Sequence, residues 1–422
     1  MPRMNDEDAE GPPLMAGPAV RQDNGDPLPH APVLVLNCGS SSIKFALFEA
    51  ASSPLPRQPF WSGKVDGIAG PQPTLAATGV EVARLTLPPE RPYHAALEHI
   101  RERVATRLAG RALTGVAHRV VHGGSKYSTP VRLDADVLAD LKSFVPLAPL
   151  HQPFALEAIE AMHRATPGLP QVACFDTAFH HTLPEVEKML TLPYSAWERG
   201  LRRYGFHGLS YEYLSVVLAE RYGDLARGRC IVAHLGSGAS LCGMQDLRSV
   251  GTTMGFSALE GLMMGTRCGS LDPGAVIYLM EVEKLTLEQV GRVLYHQSGL
   301  LGVSGVSADP RDLLPEEAGN PRVQAALALY VRRIVREIGA LAAVLGGLDL
   351  LAFTAGIGEH NAEIRRRVCV GLGFLGVTLD DEANAAGAHR ISAPDSRVVV
   401  AVEPTNEEWI AAVHCVNQLN GS

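Results

Sequence analysis

A chain of 422 residues, 46% of them hydrophobic, is long enough for two cores and bounds the domain count at two or three. Its net charge of −8 without a basic block gives little support to nucleic-acid binding, and no apolar run reaches the roughly 18 residues of a membrane-spanning helix. Seven cysteines scattered without a CxxC pair argue for reduced thiols in a cytosol over a disulfide framework or a zinc site.

Residues 1–31 are rich in Pro, Gly, Asp and Glu and lack periodicity and an apolar h-region. They read as a disordered extension rather than a secretory signal. Val33–Phe48 then reads as an apolar strand to Asn37, a Gly/Ser loop, and a second apolar run opened by Lys44. Backbone N–H groups, hydroxyls and an ammonium in one turn suit a bound phosphate. Walker A needs a helix after its lysine, and here strand-type residues follow, so the phosphate would sit on a hairpin.

Phe60–Val65 is strand-like, and His94–Leu108 has helical spacing. Gly115–Val121 reads as a buried strand ending in His122-Gly123-Gly124, and carries Arg119. Helical patterns follow at Asp134–Phe144 and Phe154–Arg164, then a short strand, Val172–Phe175, stops at Asp176. Alternating strands and helices predict an α/β fold.

Cys230–Met244 repeats the plan of strand, Gly/Ser turn and strand about 200 residues later, which predicts an internal duplication. Pro321–Leu345 is a long amphipathic helix. Leu348–Thr354 is a buried strand running into Ala355-Gly356-Ile357-Gly358-Glu359, a turn whose glycines let a nucleoside approach the backbone. Asn361 is placed to cap a helix over Glu363–Val370. A last strand, Val398–Val402, and a last helix, Asn406–Val416, close the chain.

Several polar residues stand out against this frame. Arg119 and Arg267 adjoin glycine turns, as structural ion pairs or as guanidiniums aimed at a carboxylate or phosphoryl group. Asp176 and Glu407 follow strands, as turn or helix-dipole acids or as Mg²⁺ ligands. His207 precedes a glycine and an apparent N-cap, Ser210. His151, His234, His122, His180 and His181 show no zinc spacing and read as structural or site histidines.

In order, VLVLNCGSSSIKF, AHRVVHGG, PLAPLHQP, FDTAFHHTLP, RYGFHGLS, AHLGSGAS, EGLMMGTRCGSLDPG, GVSADPRDL, FTAGIGEH and PTNEE resemble the acetate kinase family from Val33 to about Val416. The resemblance implies two domains with duplicated ribonuclease H-like cores of the actin/Hsp70 type around a central cleft. It implies an N-terminal domain of 32–178 plus about 409–422 and a nucleotide-binding domain of 179–408. It also implies a cytoplasmic homodimer joined through the C-terminal domain. The family's reaction is phosphoryl transfer between ATP and acetate with Mg²⁺, or Mn²⁺ in its place. Propionate or another short-chain acid is the alternative acceptor.

By resemblance, Asn37 and Glu407 sit at the metal, and Asp176, His207, Arg267 and Arg119 carry catalysis, with His207 and Arg267 stabilising the transition state. Arg119, Val121, Leu150, His151 and Phe206 would hold the acyl substrate. Ser40, Ser42 and Lys44 form the first phosphate hairpin, and His234, Leu235, Gly236, Ser237 and Gly238 the second. Asp309, Pro310, Arg311, Gly356, Ile357, Gly358 and His360 would surround the nucleotide. Three positions depart from the family pattern: Ser237 replaces an asparagine, His360 follows Glu359 in place of another asparagine, and Ala258 stands where proline is common.

Acetate is already ionised at neutral pH, so this chemistry needs charge neutralisation rather than a base. Asp176 is therefore expected to orient metal-bound water or His207. A sugar kinase would need an aspartate base and has no use for paired arginines, and an actin-like switch has no need of Arg119, Arg267 and His207 together.

Overall fold

The computed structural model describes residues 31–39, 41–50, 54–149 and 151–421. Residues 1–30 of the expected extension, and the candidate site residues Ser40 and Leu150, lie outside the described residues. The chain divides into two compact units, one of residues up to Ala178 with Asn406 onward, the other Phe179–Thr405.

The first unit holds an eight-stranded sheet. Its strands are β1 (Pro32–Cys38), β2 (Ser42–Glu49), β3 (Trp61–Asp66), β4 (Thr74–Ala77), β5 (Val80–Arg84), β6 (Gly115–Val120), β7 (Val131–Arg132) and β8 (Gln171–Phe175). Their order is β5-β4-β3-β2-β1-β6-β8-β7. Strand β1 is buried along its whole length, which explains its unbroken apolar run. Leu34 and Leu36 join a core with Leu97, Ile100 and Val104 of the helix Pro92–Leu108. Side chains alternate along a strand, so Asn37 faces the other side, where the C-terminal helix Glu407–Asn420 lies against β1, β6 and β8.

The second unit holds a five-stranded sheet of β9 (Cys230–Leu235), β10 (Ala239–Gln245), β11 (Arg248–Thr252), β12 (Leu350–Thr354) and β13 (Val399–Val402), in the order β11-β10-β9-β12-β13. The helix Pro321–Leu345 packs on β10 and β11 through a buried stripe that includes Ile334, Ile338 and Leu341. It begins at an Asn320 cap, whose side chain accepts from Arg322 N and Val323 N, and stops at Gly346 in the left-handed region.

The two sheets share one topology. In each, a meander of three antiparallel strands is extended by two parallel ones: β3-β2-β1-β6-β8 and β11-β10-β9-β12-β13. This is the duplicated α/β core that the two similar hairpins predict. Asn37 pairs with Lys44 across the first hairpin, and His234 with Ser240 across the second.

Candidate active site

The first unit gathers its polar groups at the ends of β1, β6 and β8. Parallel pairing puts Arg119 of β6 beside Asn37 of β1, and Asp176 follows β8, its N–H donating to Val120 O at 3.0 Å. Arg119 Nε lies 3.0 and 2.9 Å from the two carboxylate oxygens of Asp176, and Nη2 2.6 Å from Oδ2. Its Nη1 donates to Asn37 Oδ1 at 2.9 Å and lies 3.7 Å from Glu407 Oε2. Asn37 Nδ2 donates to Glu408 Oε1 at 3.2 Å and Glu407 Oε2 at 3.4 Å. Burial pushes the Asp176 carboxyl up and the Arg119 guanidinium pulls it back, while burial of Arg119 is outweighed by Asp176 and Glu407, which hold its charge firmly.

The metal candidates can be tested on this donor set. Asp176, Glu407 and Glu408 bring three carboxylates around one guanidinium, an oxygen-rich excess of negative charge that fits a hard divalent cation. Among the described residues no three His, Cys, Asp or Glu side chains form a metal-holding group. Asn37 Oδ1 already accepts from Arg119, so it is the weaker candidate of the expected pair.

Other expected residues lie in the same unit. Lys44 is exposed on β2 and, with Lys64 and Glu408, lines an open groove of about 440 Å³. Ser42 opens β2, and Val121 is half-buried just past β6. His151 is the residue before the helix Gln152–Ala165. Gln152, which the sequence did not flag, accepts from His122 N and donates to His122 O, both at 3.1 Å, tying that helix to the loop after Arg119.

In the second unit His207 stands in the left-handed region (φ 60°) immediately before the helix Gly208–Tyr222. Two features hold it there. Gly205 has φ +74°, and a Cβ on it would fall 2.5 Å from the His180 ring. Buried His180 donates through Nε2 to Phe206 O at 2.9 Å, and its Nδ1 lies 2.8 Å from Ser249 Oγ. Burial lowers the His180 pKa to about 4, so the ring is neutral.

Ser210 is not the N-cap its sequence context suggested. It lies inside the first turn of the helix, and its hydroxyl sits 2.8 Å from His234 Nδ1. The cap position belongs to His207, because the chain enters the helix through a left-handed residue. The His207 and His234 rings stack at 4.1 Å and 15°. His207 Nδ1 is 2.8 Å from Ser240 Oγ, which is 2.5 Å from Tyr211 OH. The sequence did not flag Ser240 or Tyr211. Tyr211, four residues after His207, shares its helical face, the one signal that could have found it.

Gly238 lies under the converging groups. A Cβ there would sit 2.7 Å from Arg267 Nη2 and 3.4 Å from His207 Nε2. Arg267 is half-buried, donates to Ala258 O at 2.8 Å, and makes no ion pair among the described residues. Burial accordingly lowers its pKa, with no carboxylate to restore it. Because Arg267 uses only the main chain of Ala258, the departure from proline leaves this contact intact.

The nucleotide candidates are more open. Leu235 ends β9, Ser237 is exposed at the turn, and Gly236 N donates to Gly238 O at 3.0 Å. The expected turn at Gly356, Ile357 and Gly358 is a short helix, Ala355–His360, because Glu359 Oε1 folds back to accept from Ala355 N at 2.8 Å. The same oxygen accepts from Thr405 N at 3.1 Å. His360 is exposed, 3.8 Å from Glu359. Asp309 caps the short helix Pro310–Leu313 and pairs with the exposed Arg311 at 2.6 Å, which holds its carboxyl below the usual range.

The acetokinase family model matches residues 32–413. An acetate kinase of Rhodopseudomonas palustris is 50% identical over 388 residues, covering 90% of this chain and 97% of that relative. The crystal structure of Porphyromonas gingivalis acetate kinase aligns with a TM-score of 0.80 at 38% identity, covering 90% of this chain and 98% of that one. A propionate kinase from Francisella tularensis aligns with a TM-score of 0.84 at 34% identity, covering 91% and 98%.

Proposed function

Since the chain belongs to the acetokinase family, we propose how its residues divide the work of an acetate kinase. The reaction is reversible transfer of the ATP γ-phosphoryl group to acetate, giving ADP and acetyl phosphate. A carboxylate oxygen of acetate bonds to the γ-phosphorus while the bond to the β,γ-bridging oxygen breaks and its electron pair stays on ADP. No proton is lost from acetate, so no base is required. The obstacle is repulsion between anions in a transition state whose charge spreads over the equatorial oxygens.

Arg267 carries this reading. A half-buried guanidinium with no ion pair among the described residues, converging with His207 Nε2 over Gly238, suits an incoming phosphoryl group. In the first unit, Asp176 and Asn37 hold Arg119, whose remaining N–H groups are left to take the acetate carboxylate. Asp176 thus acts on Arg119, in place of the expected water or His207, and is not a general base. Val121, His151, Leu150 and Phe206 are assigned to the methyl pocket. The turns at Gly236–Gly238 and Gly356–Gly358, with Lys44, Ser42 and the 309–311 segment, are assigned to the nucleotide. Mg²⁺, or Mn²⁺ in its place, would be held by Glu407 with Asn37 and Glu408 beside it. When bound, it neutralises phosphate charge.

Trapping acyl phosphate with hydroxylamine tests the reaction. Acetate should give the highest kcat/KM among acetate, propionate and butyrate. A ratio favouring propionate would overturn the acceptor, since one methylene is worth only about 1–3 kcal/mol.

Assembly belongs to the same proposal. No residue of the helix Pro273–Glu281 is buried, and Ile277, Tyr278, Met280 and the following Val282 are exposed. A homodimer joined through this face of the second unit would cover them. Sedimentation should give a dimer that Ile277→Asp converts to monomer. Seven free thiols, six of them buried, suit a cytoplasmic location.

A further inference from the structure

We infer that Tyr211 and Ser240 are positioning residues that fix His207 as its Nε2–H tautomer, and that Thr405 and Ser210 do the same for His234. The inference rests on the reading that His207 donates to the moving phosphoryl group.

The assignment follows from counting protons. Tyr211 is fully buried, and Ser240 Oγ at 2.5 Å is its hydrogen-bond partner. Burial keeps the phenol protonated, so its one O–H donates to Ser240 Oγ. Ser240, also buried, then has its own proton for its other neighbour, His207 Nδ1 at 2.8 Å. Ser240 Oγ has no hydrogen-bond partner besides these two among the described residues, so its proton goes to Nδ1, Nδ1 accepts, and the ring proton goes to Nε2. The reverse chain, Nδ1–H to Ser240 to Tyr211, would strand the phenolic proton in the core without an acceptor. Nε2 is the atom above Gly238 beside Arg267, so the relay aims an N–H where the phosphoryl group is needed.

A second relay is built alike. Thr405 Oγ1 donates to Ser210 Oγ at 2.8 Å, and the Ser210 proton goes to His234 Nδ1, also at 2.8 Å. His234 therefore carries its proton on Nε2 too. The two rings stack at 4.1 Å, and charging both at that distance is opposed by like-charge repulsion. The hydroxyl relays fix the tautomers of the pair before substrate arrives, with no tautomer change or ring flip to pay for during the reaction.

The test is long-range proton–nitrogen NMR of the full chain with ¹⁵N-labelled histidine at neutral pH, assigned with His207→Gln and His234→Gln. Both rings should show a bare Nδ1 and a protonated Nε2. In Tyr211→Phe, Ser240 is free to accept, and His207 should become a tautomer mixture. There kcat should fall about ten- to a hundredfold, by analogy with the partners that orient metal-ligating histidines, with KM for ATP and acetate little changed. Ser240→Ala should do the same and Ser240→Thr should restore both readouts, which covers a Tyr211 variant that fails to fold. A protonated Nδ1 on wild-type His207, or unchanged His207 signals in Tyr211→Phe and Ser240→Ala, would overturn the inference. His207→Ala with undiminished kcat would instead overturn the donor role of His207, leaving the tautomer result standing.

Discussion

Arg119 and Arg267 each adjoin a glycine turn, yet their surroundings are opposite. Asp176, Asn37 and Glu407 hold Arg119, whereas Arg267 has one carbonyl, that of Ala258. Replacing Arg267 with Ala should therefore cost activity and little stability. We expect kcat in the hydroxamate assay to fall about 10²–10³-fold, the cost of removing one fixed donor, with urea unfolding almost unchanged. Asp176→Ala should do the reverse first: it strips a largely buried guanidinium of its bidentate partner, leaving Asn37 and the more distant Glu407, and should destabilise the fold by about 3 kcal/mol in urea unfolding. Gly238→Ala tests the convergence itself. Its methyl would sit 2.7 Å from Arg267 Nη2, so kcat should fall toward about a hundredfold, the cost of a 1 Å misplacement, while the melting temperature holds. Sequence made both arginines candidates but could not separate them, because the separation depends on carboxylates more than 50 positions away.

Among the elements, those with strong local signals were legible. The helix Pro321–Leu345 has its predicted bounds because Asn320, Pro321 and Gly346 mark its ends chemically. Asn361 caps the helix Ala362–Gly371 as expected, its side chain accepting from Ile364 N at 3.0 Å. Asn361→Ala should cost about 1 kcal/mol in urea unfolding. Because the cap adjoins the Ala355–His360 turn, KM for ATP should rise with it. Strands β4, β5 and β7 carry no such signal: they are short, β5 is mostly exposed, and none alternates clearly. Ser210 misled for a different reason. Its sequence context is that of a cap, but a left-handed His207 starts the helix earlier and gives the hydroxyl to His234.

For the whole molecule, both units contain histidines that must stay neutral. Burial lowers the pKa of His118, His122 and His180 each to about 4, against an unfolded value near 6.5. Below pH 6.5 the unfolded chain takes up these protons and the folded one does not, so stability should be flat above that pH and fall as pH drops toward 4. The loss should be about 2 kcal/mol per group by pH 5, read from urea midpoints between pH 8 and 5. A rise in stability on acidification over that range would contradict the burial of these rings. Periodicity and turn chemistry by themselves determined that the chain carries two α/β cores, each with a phosphate-type hairpin, since apolar alternation and glycine placement are local properties. The motifs in order then identified the family. Only the tertiary structure decided which arginine is already engaged, which hydroxyls lie against the histidines, and that Asp176 is hydrogen-bonded to Arg119. Those are hydrogen bonds between residues far apart in the chain, and they exist only once strand pairing brings them within 3 Å.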